Sequence, residues 1–209
     1  MQESATVQWV ALGAAVLLAL VHIFARRLRI LAGMPRSRWL SLAGGASVAY
    51  VFIHLFPELS HGQQVLSGRL AGPLEYIENH IYLISLAGLA VFYGLEIYAR
   101  RHQSKPQEER GREGIFWVHV GSFTLYNALI GYLLLHLEDN RVSTVILFSL
   151  AMGMHLLVND FALRELHRED YHNFGRWMLA GTVLAGWGIG ALTEISEVGV
   201  SILLAFLAG

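Results

Sequence analysis

Seven apolar stretches separated by short polar gaps organise the chain. They cover roughly residues 6–25, 39–57, 80–99, 115–136, 142–163, 177–193 and 198–209. Most of them reach the ~20 residues that a helix needs to cross the hydrocarbon core of a bilayer. A lipid-exposed strand would leave backbone amides unpaired, and these runs lack the two-residue alternation of a membrane barrel. The pattern therefore predicts an all-α fold, a polytopic membrane helical bundle with about seven transmembrane helices.

Basic residues are concentrated in every second gap. The first gap holds five of them, whereas the second, roughly residues 58–79, holds only Arg69. The third gap again holds five, the fourth only Arg141, the fifth three and the sixth none. Because loops rich in Arg and Lys stay in the cytoplasm, the odd gaps are predicted to be cytoplasmic and the N-terminus to lie outside. The expected localisation is the cell (plasma) membrane, with several passes.

The composition agrees with a single membrane domain over residues 1–209. The chain is 55% hydrophobic and 15% charged, with a mean hydropathy of +0.47, which is too apolar for a soluble domain. The net charge of −1 gives no reason to expect a nucleic-acid partner. Residues 100–114 form a polar run that we interpret as a cytoplasmic linker between helices three and four. Just before it, an i, i+4 pair with Arg100 accounts for Glu96 without a functional role.

The two ends and the lack of cysteine set further limits. The first stretch has no small-residue cleavage site, so we interpret it as a retained span and not as a signal peptide. The last stretch stops at Gly209, about twelve residues into an apolar run. A brief last helix and a chain truncated in its seventh helix both fit this, and we expect the second. With no Cys, disulfides and thiolate metal sites are excluded, and any soft-metal chemistry would come from His and Met.

Polar side chains at membrane depth are the candidate functional residues, because burying them there is costly. In the fourth span, Asn127 falls near the middle and His119 lies two turns nearer the cytoplasm. In the fifth, His155 falls near the middle, and Asn159 and Asp160 follow on the cytoplasmic half. Imidazole nitrogens and Asn or Asp oxygens suit a loose cation site of the kind that conduction needs. These residues are the candidate metal ligands; the alternative is neutral core histidines that hydrogen-bond to neighbouring helices.

A second polar group lies at the outer end of the second span. His54, Glu58 and His61 follow one helical stripe at spacings of four and seven, until Pro57 disturbs it. An acidic rim that also carries histidines would raise the local concentration of cations, so we interpret these three residues as an entrance. The alternative is that external loops lack Arg and Lys, which leaves acids in excess without any function.

The second span also carries the motif that points to a family. A run of small residues at 44–46 leads into the element His54-Leu55-Phe56-Pro57-Glu58. This combination resembles the second transmembrane helix of the ZIP (Zrt/Irt-like) metal-ion transporters, where small residues precede a His-x-x-Pro-Glu element. The third span and the charged linker after it are similar to their ZIP counterparts. The resemblance implies eight helices and an external N-terminus, so a chain that stops in helix seven would lack the last one.

The resemblance also implies which residues bind the metal. The family has a His-Asn-x-Pro-Glu-Gly element in the fourth helix, and Asn127 and Gly131 match it here. It has a His-x-x-Pro-Glu-Gly element in the fifth helix, where His155 matches and Asn159 stands in place of the glutamate. The chain thus resembles a divergent, bacterial-type member with a degenerate metal site between helices four and five.

Three functions are compatible with these observations. The resemblance implies the first, transport of a divalent metal ion such as Zn²⁺, with the ion as substrate and no cofactor required. The second is a transport-inactive ZIP-like scaffold or sensor, in which the polar residues hold helices together. The third is a membrane-embedded zinc hydrolase. We expect the first, and hence no enzyme, with the lipid bilayer and a divalent metal ion as partners and a homodimer as a further candidate assembly.

Overall fold

The computed structural model describes residues 2–24, 36–66, 80–103, 109–137, 141–166 and 171–209. Within these ranges all regular structure is helical, which confirms the all-α prediction. The helices are α1 (Gln2–Phe24), α2 (Arg36–Tyr50), α3 (Phe56–Leu66), α4 (Ile81–Gln103), α5 (Glu109–Leu133), α6 (Val142–Leu166), α7 (Arg176–Leu192) and α8 (Glu197–Ala208). Two π-helical segments, Val51–Leu55 and Tyr171–Gly175, lead directly into α3 and α7.

Several helices are suited to a membrane. In the described part of the chain, four are long and apolar enough to cross one: Ala5–Phe24, Arg38–Leu66, Ile81–Tyr98 and Val142–Arg164. Large apolar side chains face outward on them and elsewhere, for example Trp9 at 72% and Phe52 at 62% exposure. Because contiguous apolar surface of this kind is rarely left in contact with water, it fits a lipid environment.

The second apolar stretch forms one continuous helical rod with a wide turn in its middle. Pro57 has no backbone N–H, so it cannot bond the carbonyl four residues earlier. Just before it the backbone is π-helical, and the Phe56 N–H donates to the Val51 carbonyl. A π turn of this kind accommodates the proline without ending the helix. The rod therefore continues to Leu66, into the gap that follows the second apolar stretch, while residues 67–79 lie outside the described residues.

The third and fourth spans likewise extend beyond their apolar stretches. α4 ends at Gln103 and α5 begins at Glu109, so both helices enter the predicted linker, residues 100–114. Arg, Gln and Glu have good helix propensity, so the helices persist after the apolar pattern stops. Residues 104–108 of that linker lie outside the described residues.

The most extensive interface among the described helices joins α5 and α7. Glycines bring the two backbones together: a Cβ on Gly131 would overlap the Val183 carbonyl, and a Cβ on Gly186 would overlap the Ala128 carbonyl. In lipid, helices associate through such close packing, because apolar burial provides little drive between them. The small residues of the sixth apolar stretch thus have a direct packing role.

Two pairs of helices run in the same direction. In α1 and α6, Leu18 lies beside Gly153, and four residues later His22 lies beside Asp160. The contacts between α5 and α7 also advance together along both helices. The core cluster fills the space where α1, α5 and α6 meet, and polar side chains lie within that junction.

Candidate functional site

Three buried polar side chains from three helices form one hydrogen-bonded network. His22 of α1 lies between Asp160 of α6 and Asn127 of α5, and each of the three is 1% exposed. The Nδ1 atom of His22 is 2.8 Å from Asp160 Oδ1 and 2.9 Å from Asp160 Oδ2. On the other side of the ring, Nε2 is 2.8 Å from Asn127 Oδ1. We call His22, Asn127 and Asp160 the three-helix network.

The orientation of Asn127 determines where the hydrogens of the network lie. Its Nδ2 donates to the Phe123 carbonyl at 2.7 Å, one turn earlier in α5. The amide oxygen therefore faces His22, and because this oxygen only accepts, Nε2 must carry a hydrogen. The opposite nitrogen is almost equally far from both Asp160 oxygens, as expected for an N–H shared by the two oxygens of a carboxylate. The hydrogen bonds thus place one hydrogen on Nε2 and another between Nδ1 and the Asp160 carboxyl group, with the amide of Asn127 closing the far side of the ring.

Apolar side chains flank the network on its own helices. Leu18 precedes His22 by one turn, and Leu156 and Leu163 lie one turn before and after Asp160; all three are 0% exposed. Residues at these spacings share a helical face. On α1 and α6, the polar groups therefore lie on helix faces whose neighbouring residues are leucines. Apolar surroundings strengthen the hydrogen bonds between these groups. For the same reason, removing one partner destabilises the protein, because the other is left buried without a hydrogen bond.

Two of the five candidate ligands meet in this network. Asn127 and Asp160 lie on opposite sides of a single imidazole. Both are buried, and the group that joins them comes from α1 and not from α5 or α6. The two candidate ligands are therefore connected through a third helix, and their role as metal ligands stays a prediction.

His119, another candidate ligand, takes part in a second pair. Its Nε2 is 2.9 Å from Glu96 Oε2, and the two side chains are 2% and 25% exposed. This contact connects α5 to α4. Glu96 thus binds a buried imidazole of another helix, while the Arg100 side chain of its predicted pair lies outside the described residues.

His155 and Asn159 lie one turn apart on α6 and are both partly buried. The His155 ring is beside that of Tyr126, with 5.6 Å between the centroids. Tyr126 in turn packs edge-on against Phe92 of α4 at 5.3 Å. His155 therefore lies in aromatic surroundings where α5 and α6 meet, and its role as a metal ligand stays a prediction.

The predicted entrance lies around the wide turn before α3. His54 belongs to the π-helical segment and is exposed, with its ring 5.1 Å from that of Tyr50. His61 is exposed and Glu58 is partly buried. Because a π turn holds an additional residue, it interrupts the stripe that a regular helix would form through His54 and Glu58. The role of these residues as an entrance stays a prediction.

The donor atoms of the three-helix network are of types that bind metals. Imidazole nitrogen and carboxylate oxygen are common ligands of Zn²⁺, and amide oxygens bind harder cations. Among the described residues, no group of three or more His, Cys, Asp or Glu side chains is suitably placed to hold a metal ion. Both ring nitrogens of His22 are already in hydrogen bonds, so a metal ion would have to replace a proton there. As arranged, the network holds protons, and it would accept a cation only by opening.

His22 is the residue that the sequence analysis missed. It lies near the end of the first apolar stretch, one turn before Arg26, where an imidazole is typical of an interfacial position. One signal was available, because His22 is the only ionisable residue between Glu3 and Arg26. Its partners are far away in the chain, so no spacing rule connects it with them.

Comparison with known proteins identifies no relative of this chain. No protein family, no curated protein and no solved structure matches the chain. The ZIP resemblance accordingly depends on the motif residues of the second, fourth and fifth spans alone.

Proposed function

We propose that the protein is a multi-pass transporter of divalent cations in the plasma membrane, with seven spans and an external N-terminus. The observation that carries this proposal is the three-helix network, an ionisable pair enclosed where three helices meet. Ionisable side chains at membrane depth are rare, and they typically belong to ion pathways or proton relays. The Arg and Lys distribution supports the orientation.

A network that served packing alone would be an expensive way to join helices. Each buried ion loses several kcal/mol of hydration, and apolar residues of similar volume are often as stable or more stable by about 1–4 kcal/mol. Leucines at positions 22, 127 and 160 would therefore hold α1, α5 and α6 together at least as well. Two polar groups joined through one buried imidazole favour a role that leucine cannot perform.

The chemistry of the three side chains suits the exchange of a cation for protons. Imidazole binds a metal ion only through a nitrogen that carries no hydrogen, so a cation at His22 displaces a proton. Asp160 adds a negatively charged oxygen ligand and Asn127 a neutral one. His155 and Asn159 are further ligands along the same pathway. Transport of a divalent ion would therefore be coupled to proton movement.

Flux into liposomes tests this proposal. The protein is reconstituted, and entry of Zn²⁺, Mn²⁺ or Fe²⁺ is followed with a metal-sensitive dye while a second dye reports the internal pH. We expect at least one ion to enter with accompanying proton movement, and this flux to be lost in His22→Gln and Asp160→Asn. His80→Gln is the matched control, because His80 is exposed at the start of α4, and it should keep the flux of the unaltered protein.

Two results would contradict the proposal. An unaltered protein that passes none of the three ions is not a transporter of these cations. Flux that survives in both network variants but disappears in His155→Ala would place the site at His155 and Asn159 and leave the three-helix network without a transport role.

The second candidate function is a transport-inactive scaffold or sensor. It is favoured by one observation: the ring nitrogens of His22 and the amide of Asn127 are already hydrogen-bonded inside the network. Such a network can fasten three helices without any bound ion. In that case the variants would lower the stability of the protein, and the unaltered protein would show no flux.

A further inference from the structure

Tyr171 places a buried hydroxyl next to Asp160. The side chain is 4% exposed, and its hydroxyl makes no hydrogen bond of ordinary geometry with the described residues. The Asp160 carboxylate is nevertheless close enough to act on it: burial first, and then the negative charge of Asp160 and hydrogen bonding to it, raise the pKa of Tyr171. A buried hydroxyl whose hydrogen bond is poorly formed is costly. Its position at this carboxylate therefore calls for an explanation.

The Tyr171 ring belongs to an apolar layer that lies beyond Asp160. Leu163, one turn after Asp160 on α6, is in this layer, on the side toward which α6 runs. The sequence predicts that this side is cytoplasmic. The members are at most 4% exposed: Phe116, Val120, Leu163, Tyr171 and Leu179. We call these five residues the Tyr171 layer, and it lies between Asp160 and that side of the bundle.

The backbone at Tyr171 combines tight packing with an irregular turn. Tyr171 is the first residue of the π-helical segment Tyr171–Gly175. Gly175 leaves space for the ring, because a Cβ there would lie 3.2 Å from Tyr171 Cδ2. Single π turns inside helices are frequently found at functional sites. The ring is thus held in place by a segment whose geometry departs from a regular helix.

Two basic side chains also act on the Tyr171 hydroxyl through their charge. The positive charges of Arg164 and Arg176 lower the pKa of Tyr171, against the larger effect of burial. Their guanidinium groups lie over aromatic rings, with Cζ 5.6 Å from the Phe161 centroid and 5.1 Å from the Trp177 centroid. Both arginines are partly exposed, although the Nε atom of Arg176 is buried, and long basic side chains near the end of a span direct their charged groups toward water. Water is therefore expected just beyond the Tyr171 layer.

We infer that Tyr171 is the gate through which water and protons reach Asp160 from the side predicted to be cytoplasmic. With the ring in the Tyr171 layer, Asp160 is closed off and the three-helix network keeps its protons. When the ring swings out, its hydroxyl gains water as a partner, and water connects Asp160 with the surface near Arg164 and Arg176. The purpose of the gate rests on the proposed transport function, but the gate itself is tested without measuring transport.

The lack of cysteine allows the gate to be tested by thiol accessibility without background. Leu163→Cys places one thiol in the Tyr171 layer, and the full chain in lipid nanodiscs is treated with a charged, membrane-impermeant methanethiosulfonate. We expect slow modification of Leu163→Cys alone, and a rate at least about tenfold higher when Tyr171→Ala is added, because the site then opens to water. Tyr171→Phe keeps the ring and should leave the rate within about twofold of the slow value.

Two controls separate a gate from general loosening. Trp177→Ala removes another aromatic ring close by on α7, but this one is 53% exposed, so it should leave the Leu163→Cys rate unchanged. Val145→Cys, 1% exposed near the other end of α6, is a second reporter that should stay slow in the presence of Tyr171→Ala.

The gate would be overturned if Tyr171→Ala left the modification rate of Leu163→Cys unchanged. It would also be overturned if Tyr171→Phe or Trp177→Ala raised this rate as much as Tyr171→Ala does, or if Tyr171→Ala raised the rate at Val145→Cys as well. The metal-flux measurement tests the proposed function and the thiol-accessibility measurement tests the gate, so either can fail without the other. If the protein shows no metal flux but its thiol accessibility depends on Tyr171, the proposed function is wrong and the gate stands. If it shows metal flux but its thiol accessibility does not depend on Tyr171, the proposed function stands and the gate is wrong.

Discussion

His22 and Asp160 are 138 positions apart in the chain, yet their side chains are in hydrogen-bonding contact at 2.8 Å inside the bundle. This pair fastens α1 to α6, and Asn127 fastens α5 to the other side of the same ring. Hydrogen bonds between helices in lipid contribute only about 0.6–2 kcal/mol each. Removing one member of a buried charged pair costs more, about 3–5 kcal/mol, because the other is left uncompensated. The pair should therefore be far more sensitive to single than to paired substitution.

The first prediction concerns this difference. His22→Leu and Asp160→Leu should each lower the free energy of unfolding by about 3–5 kcal/mol. The double variant should lose much less than the sum, because two leucines leave no charge behind. The measurement is unfolding of the protein in detergent micelles by a denaturing detergent.

A second cycle serves as its control. Tyr82 is 48% exposed on α4, so Tyr82→Leu and Asp160→Leu should be additive within about 0.5 kcal/mol. If the effects of His22→Leu and Asp160→Leu were also additive, the two side chains would not be energetically coupled, and the three-helix network would lose its physical basis.

The second prediction concerns the amide of Asn127. Asn127→Leu leaves the Nε2 hydrogen of His22 without a partner, so it should cost about 1–3 kcal/mol of stability. Thr124→Val is the matched control on the same helix. The Thr124 hydroxyl donates only within α5, to the Val120 carbonyl at 2.8 Å, and its loss should cost less than about 0.5 kcal/mol. Equal effects would mean that Asn127 contributes nothing across the helix interface.

The site residues show which part of this network can be predicted from sequence. Asn127 and Asp160 were expected inside the bundle, and both are buried, because the depth of a residue follows from its position in an apolar span. Spacing along one helix does not predict which residue of another helix a side chain will contact. Spacing therefore does not predict His22, and it does not predict the contact between Glu96 and His119 of α5.

Backbone irregularity is the other part that spacing does not predict. A period of 3.6 residues places His54 and Glu58 on one stripe and ends the helix near Pro57. The chain instead forms a π turn over Val51–Leu55 and remains helical to Leu66. A proline indicates that a hydrogen bond is missing, but the choice between a helix end and a wide turn depends on what packs around it.

The third prediction compares the two histidine–carboxylate pairs. Glu96 is 25% exposed, whereas Asp160 is 1% exposed, so water can replace the Glu96 carboxylate at His119 more readily. Glu96→Ala should cost about 1 kcal/mol of stability, well below the cost of Asp160→Leu. The same micelle unfolding assay measures both. A loss for Glu96→Ala as large as for Asp160→Leu would show that partial exposure does not relieve the cost of breaking such a pair.

The fourth prediction concerns the glycines between α5 and α7. Gly131→Ala and Gly186→Ala each place a methyl group against a backbone carbonyl of the facing helix. A backbone cannot move aside as a flexible side chain does, so each variant should lose about 1–3 kcal/mol or more as the helices separate. Gly181 and Gly188 are matched controls on α7, because a Cβ at either has nothing within 4 Å.

At these two control positions alanine should be neutral or stabilising by up to about 1 kcal/mol, since it favours the helix over the unfolded chain. Thermal unfolding of the four single variants in one detergent measures the contrast. Because α5 carries Asn127, separation of α5 from α7 should also weaken the Asn127 contact with His22. Gly131→Ala and Asn127→Leu should therefore be less than additive. Stable Gly131→Ala and Gly186→Ala variants would contradict the close approach of α5 and α7 and, with it, the rigid support of the three-helix network.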